Sequence, residues 1–181
     1  FVIGYNLVTF SAVTAGAWYY DAVTFLAARG VTTGTTVAAF SPDDTLTRGQ
    51  FIVMLLRAYG IEADDIAADN FSDAGNTYYT GYLATAKRLG ITNGVGNNRF
   101  APDTAITRQE MFTLLYNALR AIGAQPENAS GKTLSDFPDA SAITPWAKDA
   151  MTLLVESGTI SGSSGKLNPT GITTRGEMAQ V

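Results

Sequence analysis

Leu-Thr-Arg-Gly-Gln at 46–50, Ile-Thr-Arg-Gln-Glu at 106–110 and Thr-Thr-Arg-Gly-Glu at 173–177 are three writings of one phrase. Each Arg follows a proline at the same distance: Pro42 to Arg48, Pro102 to Arg108, Pro169 to Arg175. Outward from the phrase, other marks recur in order. An aromatic opens each unit at Phe10, Phe71 and Phe137, and a second follows at Trp18, Tyr78 and Trp146. Glycines come next at Gly30, Gly90 and Gly158, then at Gly34, Gly94 and Gly162. An apolar residue stands two before each proline, at Phe40, Phe100 and Leu167. A chain that repeats in this way is a set of like modules, and its function belongs to what the copies share.

The marks imply one helix, a loop and a second helix per unit. Trp18, Ala22, Phe25 and Leu26 fall at i, i+4, i+7 and i+8, one helical face, and Trp146, Ala150, Leu153 and Leu154 repeat it. On this reading the aromatics begin a buried stripe. Gly30, Gly90 and Gly158 sit where a left-handed cap ends a helix. The second helix has a stronger signal. Thr47 with Gln50, Thr107 with Glu110 and Thr174 with Glu177 each fit a capping box. Leu46 with Phe51 and Ile106 with Met111 fit the hydrophobic staple, whereas Thr173 breaks it and predicts a weaker start in the third copy. Helices are expected over 18–29, 48–59, 78–89, 108–121 and 146–157. The fold class is all-α, with three tandem helix-loop-helix repeats. The copies span 10–60, 71–123 and 137–181, with linkers at 61–70 and 124–136. Residues 1–9, rich in strand formers, read as a lead-in or the end of a preceding β element. The third copy is cut at Val181, and the chain reads as a piece of something longer.

Composition narrows the function. Apolar residues make up 46% of 181, enough for a real core. No run approaches the roughly 20 apolar residues that span a bilayer. There is no Cys, so no disulfide and no thiolate metal site, which suits an exported protein. A net charge of −4 without a basic run argues against nucleic acid. The absence of His removes Ser-His and Cys-His catalysis. Asp43 with Asp44, Asp64 with Asp65, and Asp136 with Asp139 could in principle run glycoside hydrolysis, but Asp in such stretches is first a loop and cap residue. The stretches Ser41–Asp44 and Ala101–Thr104 lack the spacing of a calcium loop. Neither a cofactor nor a metal is expected.

The Arg of the phrase stands out. With Thr as the N-cap, Arg48, Arg108 and Arg175 occupy the first helical position, where the helix dipole disfavours a cation by about 0.3–1 kcal/mol. One explanation is that each Arg pairs with a neighbouring acid such as Asp43, Asp103 or the capping Glu. The other is that helix N–H groups and a guanidinium converge on a bound anion, with the first-helix aromatic as a wall for a sugar ring. Held at the surface, Arg108 would contribute little to stability.

The composite pattern F-x-D, W-A-x-x-A, L-x-x-x-G-I-x-x-G, F-x-P-x-x-x-I-T-R-x-E resembles the S-layer homology domain, in three copies over residues 10–181. The resemblance implies a pseudo-threefold bundle with one helix of each copy at the centre and grooves between copies. It implies an extracellular, non-catalytic module that anchors proteins to the cell wall by binding secondary cell wall polysaccharide capped with a pyruvylated sugar. It assigns the pyruvate to the Arg of the T-R-x-E element. The candidate ligand residues are the arginines Arg48, Arg108 and Arg175, the aromatics Trp18, Tyr78 and Trp146, and the repeated Asp73, Asp139, Gly34, Gly94 and Gly162. A self-associating lattice module is the alternative, and a carbohydrate-active enzyme enters only as a partner domain. The copies depart from the pattern individually: Ala12 replaces the Asp of F-x-D, Gln50 replaces the motif Glu, and Tyr78 replaces Trp. The grooves are therefore expected to be inequivalent.

Overall fold

The computed structural model describes residues 9–66, 68–127 and 129–181. Among these residues six α-helices carry the fold: α1 Tyr20–Ala28, α2 Arg48–Ala58, α3 Thr80–Arg88, α4 Arg108–Ile122, α5 Lys148–Glu156 and α6 Arg175–Ala179. Short 3-10 turns lead into α5. Among the described residues the β content is limited to isolated bridges. The all-α expectation holds. Of the lead-in expected at 1–9, residues 1–8 lie outside the described residues, and Thr9 belongs to no element.

The second helices start as their sequence demands. Thr47, Thr107 and Thr174 adopt extended N-cap geometry, and all three capping boxes close. The third is intact despite Thr173: Glu177 N–H donates to Thr174 Oγ1 at 3.2 Å, and Thr174 N–H to Glu177 Oε2 at 3.0 Å. The first helices end on Gly30, Gly90 and Gly158 at φ 71°, 69° and 80°, the left-handed turn that glycine adopts without strain.

The three copies close into a ring. Helix α2 packs on α3, α4 on α5 and α6 on α1, each second helix against the first helix of the next copy. Helices α2 and α4 also meet. Almost every side chain of α2 is buried, as befits a helix at the centre of a bundle. At the axis the copies exchange a cycle of backbone bonds. Leu46 N–H donates to the Thr173 carbonyl (2.9 Å), Thr173 N–H to Ile106 (3.0 Å), and Ile106 N–H back to Leu46 (2.9 Å). All three side chains are fully buried there. Thr173 is the odd one, since its Oγ1 has no hydrogen-bond partner.

One expectation fails in α1, α3 and α5. Trp18, Tyr78 and Trp146 are not the start of a buried stripe; they are 61%, 60% and 56% exposed. Each helix begins two residues later than expected, after a turn, so the aromatic is off the helical face. The buried positions are Val23 and Ala27 in α1, Gly81 and Leu83–Ala86 in α3, and Ala150, Met151, Leu154 and Val155 in α5. Phe25 is also exposed, on an apolar cleft of about 600 Å³ that it shares with Leu26, Met54, Leu55, Tyr59 and Leu115.

Candidate functional site

Three grooves of about 370, 470 and 370 Å³ lie on the bundle, and each takes one part from every copy. The Gly34 groove has the Val31–Thr35 loop and Gln50 of the first copy, Tyr78 of the second and Arg175 of the third. The Gly94 groove has the Ile91–Val95 loop and Glu110 of the second, Trp146 of the third and Arg48 of the first. The Gly162 groove has the Thr159–Ser163 loop and Glu177 of the third, Trp18 of the first and Arg108 of the second. Arg108 therefore does not share a groove with Tyr78 or Glu110 of its own copy. Repeats that are consecutive in sequence are interleaved in space because each second helix crosses to its neighbour.

Each Arg reaches across a copy boundary through Nε. Arg48 donates to the Phe100 carbonyl at 2.9 Å, Arg108 to Leu167 at 2.9 Å, and Arg175 to Phe40 at 2.7 Å. These acceptors are the equivalent residues of the Phe-x-Pro element. Arg48 and Arg175 also lie over the rings of Phe100 and Phe40, each 4.6 Å from the centroid. The third copy has Leu167 there, and Arg108 lies instead over Phe112 at 5.3 Å. The N1 arginine is thereby explained: its position on the helix is unfavourable, but its side chain staples two copies. Arg48 and Arg175 are 5% and 3% exposed, whereas Arg108, the Arg expected to carry little structural weight, is half-buried. Burial lowers the pKa of both guanidinium groups from their ordinary value, opposed by Glu110 at Arg48 and by Asp44 and Tyr78 at Arg175.

The partners of the guanidinium heads differ. Arg48 Nη1 forms an ion pair with Glu110 Oε1 at 2.8 Å. Glu110 uses its other oxygen for its own cap, accepting from Thr107 N–H at 2.8 Å and Thr107 Oγ1 at 2.7 Å. Among the described residues, Arg108 and Arg175 have no carboxylate within 4.0 Å, and Arg175 Nη2 is buried without a hydrogen-bond partner. Pairing with the capping Glu thus holds at one Arg of the three.

Gly34, Gly94 and Gly162 line the grooves for a structural reason. They have φ of 85°, 78° and 74°, and a Cβ on any of them would strike the backbone carbonyl of Ala39, Arg99 or Lys166 and the ring of Phe10, Phe71 or Phe137. Asp73 and Asp139 line none of these grooves. Asp73 accepts from the Phe100 and Ala101 N–H groups at 2.8 and 2.9 Å; Asp139 accepts from Leu167 and Asn168 at 3.0 and 2.7 Å. They pin a turn in which Ala101 and Asn168 have φ of 57° and 49°. Burial acts to raise both carboxyl pKa values, and the backbone donors outweigh it, so each lies below the ordinary carboxylate value. Of the other carboxylates weighed for catalysis, Asp64 accepts from Ile66 N–H at 3.4 Å and Asp136 from Thr133 N–H at 2.7 Å, both within loops.

Sequence reasoning missed the outward face of the second helix. Gln50, Val53, Met54 and Arg57 line the Gly34 groove, and Glu110, Thr113, Leu114 and Asn117 line the Gly94 groove. Their i, i+3, i+4, i+7 spacing is legible in the sequence.

The S-layer homology domain family matches residues 10–52, 70–112 and 136–179. Among curated proteins, the chain is 32% identical over 91% of its length to the exoglucanase XynX of Acetivibrio thermocellus, covering 15% of that protein. It is 28% identical over 95% of its length to the S-layer protein sap of Bacillus anthracis, covering 20%. It is 35% identical over 89% to the surface-layer 125 kDa protein of Lysinibacillus sphaericus, covering 13%. The chain spans a fifth or less of these relatives.

Proposed function

The chain belongs to the S-layer homology domain family, and from that premise we propose that it is a non-catalytic module anchoring a protein to the bacterial cell wall. Its ligand is secondary cell wall polysaccharide, recognised through a pyruvylated terminal sugar. The observation that carries this reading is the make-up of the grooves. Each joins a guanidinium, a glycine loop and an exposed aromatic from three different copies. An exposed aromatic face suits a pyranose ring, and a guanidinium suits the carboxylate of a pyruvate ketal. An S-layer protein and an exoglucanase share this segment, as expected of an anchor whose cargo differs from protein to protein.

Three shallow grooves on one body suit a polymer with many ends. Single-groove affinity of order µM to mM becomes tight holding, with a gain of about 10²–10⁴ from multivalency. Co-sedimentation with purified wall sacculi tests the reading. The chain should pellet with intact sacculi and stay in solution with sacculi stripped of the polysaccharide. Pelleting without any wall would favour a self-associating lattice module instead.

A further inference from the structure

The grooves do not carry the same charge. Arg48 and Glu110 pair at 2.8 Å in the Gly94 groove, and Arg108 and Glu177 both line the Gly162 groove, though not within ion-pair distance of one another. Among the described residues the Gly34 groove is lined by two cations, Arg57 and Arg175, and by no acid. Gln50 is the cause. A capping carboxylate has two oxygens, and Glu110 gives one to its cap and the other to Arg48. The Gln50 amide has a single oxygen, and the cap takes it: Thr47 N–H donates to Oε1 at 3.1 Å. The other end of the amide is an NH₂, a donor that cannot accept from a guanidinium. Arg175 is correspondingly left with a buried, unpartnered Nη2. An unmet buried donor of this kind is costly, and a ligand that supplies the acceptor recovers the loss.

We infer that the Gly34 groove is the anion-selective site of the chain, taking a carboxylate-bearing sugar against Arg175, and that Gln50 determines this by withholding the internal carboxylate that neutralises the Gly94 groove. The inference rests on the wall-binding reading and refines it. The sugar ring lies against Tyr78, its acid on Arg175, with Arg57 adding to the positive field. In the Gly94 groove Glu110 already stands where such an acid would go, so that groove favours an uncharged sugar.

The test uses the whole chain and two probes, a methyl hexosaminide carrying a pyruvate ketal and the same glycoside without it. Binding is measured by calorimetry, and each groove is followed by NMR through its own ring: Tyr78 for Gly34, Trp146 for Gly94, Trp18 for Gly162. The ketal sugar should perturb Tyr78 at the lowest concentration, and the ketal-free sugar should not. Gln50→Glu should weaken ketal binding at least tenfold while keeping the fold, since Glu110 and Glu177 make the same cap. Glu110→Gln should bring a ketal-dependent response to Trp146. Responses confined to the two indoles, with affinity indifferent to Gln50→Glu, would overturn this assignment and leave wall binding standing. If sacculi bind but the ketal sugar binds nowhere, the pyruvylated-ligand reading fails and this assignment fails with it.

Discussion

The Gly94 and Gly34 grooves are built to one plan and differ by one functional group. In the first, Glu110 of the second copy pairs with Arg48 of the first. In the second, Gln50 of the first copy faces Arg175 of the third and leaves Nη2 without a partner. A departure from the repeat pattern therefore acts on a neighbour's arginine and not on the arginine beside it in sequence. The copies cannot be judged one at a time, because every site is assembled from all of them.

The widest gap between the two grooves should appear in stability. Arg48→Ala leaves the half-buried Glu110 carboxylate unpaired and removes the Phe100 carbonyl bond, so it should cost about 3 kcal/mol. Arg175→Ala discards a buried charge with no carboxylate within 4.0 Å and should cost only about 1 kcal/mol. Urea unfolding of both variants reads the difference directly. Equal losses would mean that Glu110 does not distinguish the grooves.

The same two copies differ at the turn before the proline. Asp73 holds two backbone N–H groups there, whereas Ala12 offers the first copy no such acceptor. Asp73→Ala should cost about 2 kcal/mol, and Ala12→Asp should add about 1 kcal/mol if the turn at Ser41, also at positive φ, is the same. Acid sharpens the test. With folded pKa values depressed, Asp73 and Asp139 contribute stability that is fully present above the unfolded value of about 3.9 and lost as pH falls through the folded value. The stability of Asp73→Asn should accordingly fall less steeply below about pH 4 than that of the parent chain.

The smallest effect lies on the axis. Thr173 occupies the place of Leu46 and Ile106 with a hydroxyl that bonds to nothing. Thr173→Val keeps the shape and removes the orphan, and should raise stability by about 1 kcal/mol without altering any groove. A loss of stability on that substitution would show that the hydroxyl is satisfied.

Most of the fold was legible because helix caps are local. The Thr, Gln and Glu of the capping boxes and the glycines ending the first helices meet partners within a few residues, so spacing alone reveals them. The sites were less legible because they are not local. Arg175 meets the Phe40 carbonyl across 135 residues, and no spacing within one repeat shows which aromatic faces which arginine. Asp73 and Asp139 recur with the groove residues and were grouped with them, although their partners are the backbone of the turn. Trp18, Tyr78 and Trp146 fit an apolar helical face by count, but a turn precedes each helix and puts them outside it.

The central claim, that a groove draws its ligand contacts from three copies, is tested by double-mutant cycles on ketal-sugar binding, followed at the Gly34 amide. One cycle pairs Arg175→Ala with Tyr78→Ala, which lie in different copies and one groove. The other pairs Arg175→Ala with Trp146→Ala, which lie in one copy and different grooves. The first cycle should show a coupling of about 1 kcal/mol and the second should be additive within about 0.5 kcal/mol. Coupling between Arg175 and Trp146, with Arg175 and Tyr78 additive, would contradict the composite grooves and return each binding site to a single repeat.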